Sequence, residues 1–407
     1  MGLSGRKLPA LGDAGPDSPE TALYADRCLA PADTLRRVWP CLAGLGITRV
    51  ARQTGLDRTG IPCWAAFRPN SRNLAGAQGK GLNDAAACVS AVMEALEAAI
   101  AERPLARRRH ASATALSEPW LSPERWLPYG TSFDPSREIA WLEGHDLLGG
   151  ARRWVPADIV DMDGERSDHS GICKNSNGLA SGNTMEEAVF HALCELVERD
   201  ATTLWTFLPE VAAQRTCIAP AAFADPVVDR LVARVEASGL ALRLFDHTSD
   251  LGVPVIMAVL GPMERAGFVG ELEVTAGYGA HPVAARAAIR AITEAAQSRV
   301  TAIAASRDDI HSAAFDRAAT AVNLRLLDAA PAAPAPPGAP LGTGLAALVA
   351  MLRAVLERAG VGVTIVALSD PAQPYAVVKL LSADLEDRAA NLNWRPGWRS
   401  FDAVARL

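Results

Sequence analysis

No stretch of this chain approaches the roughly 20 consecutive apolar residues of a membrane-spanning helix, and the N-terminal stretch, broken by Gly, Pro and Asp, has no secretory apolar core. Both absences lead to the expectation of a cytoplasmic protein. A basic excess is missing too. The 40 Lys and Arg against 46 Asp and Glu give a net charge of −6 and a pI near 5.7, without the electrostatic footprint of a nucleic-acid binder. The seven cysteines, at 28, 41, 63, 88, 173, 194 and 217, include no C-x-x-C pair and are odd in number. Neither a disulfide framework nor a structural zinc site is indicated, and Cys194, although beside Glu195, reads as a small core residue. A Walker A loop is also absent: Gly79-Lys80-Gly81 lies too close to Gly76, and no Ser or Thr follows Lys80.

The 407 residues, 49% of them hydrophobic, can bury a substantial core as one large domain or two ordinary ones. Residues 1–20 read as a flexible tail, with compact structure from residue 21 to 407. Helical periodicity marks Thr34 to Leu45 and Ala-rich stretches at about 84–102, 185–206, 282–304 and 343–359. Strand-like runs occur at Ile47 to Val50, Ala241 to Phe245, Val253 to Leu260, Val363 to Leu368 and Tyr375 to Leu380. This is an α/β or α+β pattern. The Pro/Ala-rich run at 329–340 predicts an extended, exposed connection.

Two acidic pairs share one spacing. Gly81 is followed after thirteen positions by Glu94 and then Glu97, and Gly182 after thirteen by Glu195 and then Glu198, with Ala87 matching Ala188 and Ala91 matching Ala192. On a helix, Ser90, Glu94 and Glu97 fall within an arc of roughly 60°, and Glu187, His191, Glu195 and Glu198 within roughly 80°. The opposite side of the second segment carries Val189, Ala192, Leu193, Leu196 and Val197, a face suited to a core. The acids therefore point into solvent or a cleft. Only Glu195 has a basic residue four positions on, Arg199, so Glu94, Glu97 and Glu198 call for an external cation, and Mg²⁺ bridges protein carboxylates to substrate phosphates. His191 reads as a neighbour on the helix face rather than a ligand.

A third segment, 286–299, places Arg286, Arg290, Glu294 and Gln297 on one helical face and Arg299 on the other. Arginines beside an acid suit a site holding phosphate oxygens and a metal together, although Arg290 with Glu294 could equally form a surface i,i+4 pair. In Asn175 to Thr184, small residues would let backbone amides approach an anion, while Asn183 or Thr184 can equally cap a helix.

These motifs are S-x-x-x-E-x-x-E from Ser90 to Glu97, S-N-G-x-A-x-G-N-T-x-x-E-A from Ser176 continuing to Glu195, Glu198 and Arg199, and E-x-x-Q-x-R from Glu294 to Arg299. Together they resemble the YcaO family over about residues 21–400. The resemblance implies a YcaO-type fold of mixed sheets and packed helices without a P-loop, binding ATP and Mg²⁺. It assigns Glu94, Glu97, Glu195, Glu198 and Glu294 to metal, and Asn183, Glu187, Arg199 and Arg290 to the nucleotide, with Arg27, Thr34, Lys80, Ser90 and Gln297 as further nucleotide contacts. Glu198, Glu294 and Arg199 stand closest to the chemistry it implies: a nucleophile adds to a peptide amide carbonyl, and ATP phosphorylates the oxyanion.

Azoline-forming cyclodehydratases of the family, which use a Cys, Ser or Thr of the substrate, often end in a P-x-P-x-P tail. This chain ends without one. Ile47 to Val50, Thr54 to Pro62 and Glu294 to Arg299 resemble members that work with a TfuA-type partner and install backbone thioamides. A thioamide on a peptide or protein is the favoured expectation, with an azoline product or a non-catalytic nucleotide- or peptide-binding scaffold as alternatives. No leader-binding module is evident, and the resemblance suggests a homodimer.

Overall fold

Small residues set how closely strands and helices approach in this protein, and the architecture follows from that. The computed structural model describes residues 26–165, 171–172, 174–265, 267–305, 310–388 and 394–407; the expected tail at 1–20 and Cys173 lie outside them. Helix α1 (Pro31–Val38) leads to β1 (Arg49–Arg52), β2 (Cys63–Phe67) and β3 (Gly76–Lys80), a three-stranded sheet in that order, and β3 leads into helix α2 (Asp84–Ala101). Next come β4 (Arg108–Ser112), β5 (Glu138–Asp146), β6 (Arg152–Pro156) and β7 (Leu179–Gly182), the last running into helix α3 (Met185–Trp205). Then β8 (Cys217–Ile218), helix α4 (Pro226–Ala237), β9 (Leu240–Asp246), β10 (Val255–Pro262) and β11 (Thr275–Ala280) give a second sheet in the order β11-β10-β9-β8, and β11 leads into helix α5 (Ala284–Ala304). After helix α6 (Leu345–Arg358), strands β12 (Thr364–Ala367) and β13 (Ala376–Leu381) complete a six-stranded sheet, β4-β5-β12-β13-β7 with β6 on β5, before helix α7 (Trp398–Ala405).

Every pairing between these strands is antiparallel. Among the described residues, parallel contacts are confined to the isolated bridges Trp120–Trp154 and Ile218–Ala333, so of the two classes left open by the sequence the protein is α+β. Strands β3, β7 and β11 each end their sheet, and each delivers the chain into a long helix. The helices seat tightly because alanines meet glycines. A Cβ on Gly79 would fall on the backbone of Ala87 and Ala91, and one on Gly277 on that of Ala291 and Ala295. Val189, Ala192, Leu193, Leu196 and Val197 are buried, as their periodicity requires.

The first helix moves at both ends for local reasons. The helix expected from Thr34 starts at Pro31, a residue suited to the first turn, and gives way to a 3₁₀ turn at Trp39–Cys41, where Pro40 has no N–H for an α-helix interior. The 329–340 run is largely exposed but fastened: Ala332 and Ala333 donate to the Cys217 carbonyl at 2.8 and 2.9 Å, and Ala339 to that of Pro282 at 2.8 Å. Among the described residues no helix is long and apolar enough to cross a membrane.

Candidate active site

The doubled spacing turns out to be tripled. Counting from Gly81, Gly182 and His281, the three strand-to-helix units carry alanine at +6 (Ala87, Ala188, Ala287) and +10 (Ala91, Ala192, Ala291), and glutamate at +13 (Glu94, Glu195, Glu294). Position +16 holds Glu97, Glu198 and Gln297, and +9 holds Ser90, His191 and Arg290. All six alanines are completely buried, so each helix presents the same face outward. The nine residues at +9, +13 and +16 all line one cavity of about 830 Å³. His281 keeps the third unit in register without glycine: its Nδ1 accepts the Val283 N–H at 2.8 Å, at the start of α5.

The units are linked through the cavity. Ser181 N–H and Oγ–H donate to Glu97 Oε1 at 2.9 and 2.6 Å, and Ala280 N–H donates to Glu198 Oε2 at 3.1 Å. In each case the +16 acid of one helix holds the outer edge of the next unit's strand. The third link runs through a side chain, Lys80 Nζ donating to Glu294 Oε2 at 2.5 Å, while Tyr278 N–H donates to Glu294 Oε1 at 3.3 Å. Glu294 is thus paired with Lys80, not with Arg290. Arg299, on the opposite face, pairs with Asp57 at 3.3 Å.

A second cavity of about 400 Å³ adjoins the first and shares Arg27, Lys80, Ser90, Met93, His191 and Arg290 with it. Thr34, Asn183 and Arg286 also line it, and none of the five candidate metal-binding glutamates does. Its wall is the segment from Asp26 to Thr34, clamped from both sides. Asp26 is bonded to Arg286 and, at 3.0 Å, to His281 Nε2; Glu187 accepts from Cys28 N–H. Glu187 Oε2 also takes Asn183 N–H at 2.8 Å and Nδ2–H at 3.0 Å, and Thr34 Oγ1 donates to Asn183 Oδ1 at 3.0 Å. Glu187 is fully buried and lines neither cavity. It positions the segment that carries Arg27, whose Nη1 donates to the Ser181 carbonyl at 3.3 Å. Thr184 is the cap of α3. Asp26 and His281 carry no motif of their own; the third copy of the spacing would have singled out His281.

Crowding and burial set the charges. Burial, reinforced by Glu94 and Glu195, pushes Glu97 up to about 8 despite its bonds from Ser181. Burial and then Glu294 raise Glu198 to about 6, with Arg199 opposing. For Glu294 itself burial is outweighed by Lys80 and Arg199, which hold it below the usual carboxylate value. Burial also works against the charge on Arg199, but Glu198, Glu195 and Glu294 keep it protonated. Burial, then Arg27 and Arg290, lower His191 well below its ordinary value and keep it neutral. Cys194 is buried with its thiol pushed up to about 12, an inert core residue.

Among the described residues no three acidic, His or Cys side chains form a ready-made metal cage. An oxygen-only donor set of glutamates spread around one cavity, with Glu94 exposed at the lip, fits a hard cation that keeps several waters and takes one or two carboxylates together with phosphate oxygens.

The fold is that of the YcaO-type cyclodehydratases. The chain belongs to the YcaO family: the profile described as YcaO cyclodehydratase, ATP- and Mg²⁺-binding, matches residues 78–386. A Rhizobium leguminosarum bv. trifolii relative, named as an uncharacterized protein in the tfuA 3′ region, is 41% identical over 311 residues, covering 75% of this chain and 74% of that protein. YcaO from Methanopyrus kandleri, solved with AMPPCP and Mg²⁺, superposes with a TM-score of 0.66 at 23% identity, covering 91% of this chain and 96% of that one. A heterocyclase solved with substrate and cofactor gives a TM-score of 0.73 at 21% identity over 89% of this chain, which spans 53% of that longer one.

Proposed function

We propose that this chain is an ATP- and Mg²⁺-dependent enzyme that activates a backbone amide of a peptide or protein, and that with a TfuA-type partner it converts the amide to a thioamide. The observation that carries the reading is the pair of adjoining cavities, one lined by five glutamates and the other by donors without them. Glu94, Glu97, Glu195, Glu198 and Glu294 would hold Mg²⁺; Arg27, Thr34, Lys80, Ser90, Asn183, Arg290 and Gln297 would hold the nucleotide. ATP supplies the phosphoryl group that lets the amide oxygen depart as phosphate once a sulfide has added to the carbonyl carbon. Arg199, kept charged by its three glutamate neighbours, would face the negative charge that develops on that oxygen, and its ion pairs with Glu195 and Glu198 at 3.8 and 3.9 Å fix its place. Since no protein nucleophile is required, the inert Cys194 is consistent with this scheme.

The relative beside tfuA supports the partner and the thioamide. The heterocyclase likeness supports the second reading, an azoline formed on Cys, Ser or Thr. Incubation of the protein, partner, peptide, sulfide source and Mg-ATP, read by mass spectrometry, separates them. Exchange of oxygen for sulfur with release of ADP and phosphate supports the thioamide. Loss of water supports the azoline. ATP binding without any peptide modification supports a scaffold.

A further inference from the structure

The register of the three helices sorts the site into two layers. Toward the larger cavity, positions +13 and +16 hold five carboxylates and one amide, all able to accept a cation or a donor. One turn earlier, at +9, stand a hydroxyl, an imidazole and a guanidinium, Ser90, His191 and Arg290, and these three also line the second, glutamate-free cavity. A polyphosphate running from one cavity to the other must cross the +9 layer, where donors serve its oxygens, before its metal meets the acids beyond.

We infer that His191 is a nucleotide-binding residue, donating from Nε2–H to a phosphate oxygen at the junction of the two cavities. The inference rests on the ATP reading given above. Nε2 is buried and has no hydrogen-bond partner, whereas buried polar atoms ordinarily have one. The ring is steadied by Phe190, with centroids 5.3 Å apart in an edge-on arrangement. Burial, then Arg27 and Arg290, keep the imidazole neutral, so it acts as a directional donor beside two fixed cations.

Calorimetry with Mg²⁺ and a non-hydrolysable ATP analogue, and separately with adenosine, tests this on native protein and on His191→Ala and His191→Gln, with thermal melting as the check on folding. His191→Ala should weaken the triphosphate about tenfold, the loss of one hydrogen bond, and leave adenosine within about twofold. His191→Gln, which can place an amide N–H near Nε2, should recover most of the affinity. Unchanged triphosphate affinity in a folded His191→Ala protein, or equal weakening of adenosine, would overturn the inference while the ATP reading stood. Failure of native protein to bind the triphosphate would overturn both.

Discussion

Glu97→Gln should make the metal-free protein more stable at alkaline pH while weakening Mg-ATP. In the folded state burial and the neighbouring Glu94 and Glu195 raise Glu97 from the ordinary 4.5 to about 8. A raised folded value means that the native state holds the proton more tightly than the unfolded chain. The stability gained from that proton is complete below pH 4.5 and is lost as pH rises through about 8. At 1.36 kcal/mol per unit the unscreened limit is about 5 kcal/mol, and cavity water reduces this to roughly 2 kcal/mol at an effective dielectric nearer 20. Glutamine keeps the oxygen that accepts from Ser181 and removes the charge. Urea unfolding at pH about 4 and pH about 8.5 without metal should therefore show the variant equal to native at the lower pH and about 2 kcal/mol more stable at the higher. Adding Mg-ATP should reverse the order, since ligand stabilises in proportion to its affinity. A native protein whose stability does not fall with rising pH, or a variant that is less stable at both, would refute the reasoning.

Other perturbations have equally definite outcomes. Glu198→Gln, which keeps the acceptor for Ala280 and removes the charge, should abolish Mg-dependent ATP turnover with substrate and partner present while the melting temperature stays near native; normal turnover would remove Glu198 from the metal site. Gly277→Val should cost about 3 kcal/mol or more in urea unfolding, because its side chain overlaps the backbone of α5 at Ala291 and Ala295. Glu187→Ala leaves the Cys28 and Asn183 donors without their buried acceptor, a loss of about 3 kcal/mol, and hydrogen exchange should accelerate first across residues 26–34.

The sequence carried the parts of this site that repeat locally. Alanine spacing and acid spacing defined the register of α2 and α3, because a helix that seats on a strand must keep one small-residue face and thereby aims the other. The third copy was hidden by two exchanges, His281 for glycine and Gln297 for glutamate, although Ala287, Ala291 and Glu294 keep the pattern. The clamp on the N-terminal segment was not legible at all. Asp26 meets His281 across 255 positions of sequence, and Lys80 meets Glu294 across 214, contacts that no local period encodes. Strands β2 to β8 and β11 were missed: β4 and β6 carry paired arginines, Arg108-Arg109 and Arg152-Arg153, and β3, β7 and β11 are built largely of small residues, so they lack the long apolar runs that marked β9 and β10. That the sheets are antiparallel was likewise fixed by long-range pairing: β7 finds β13 nearly 200 residues later.

The central claim, that acids on three helices together hold a metal-bound nucleotide, is tested most directly by calorimetric titration of ATP with and without Mg²⁺, into native protein and the double variant Glu94→Gln, Glu198→Gln. The account predicts Mg²⁺-dependent binding by native protein that is lost in the folded variant. Binding of equal strength in both, or none by well-folded native protein, would contradict it.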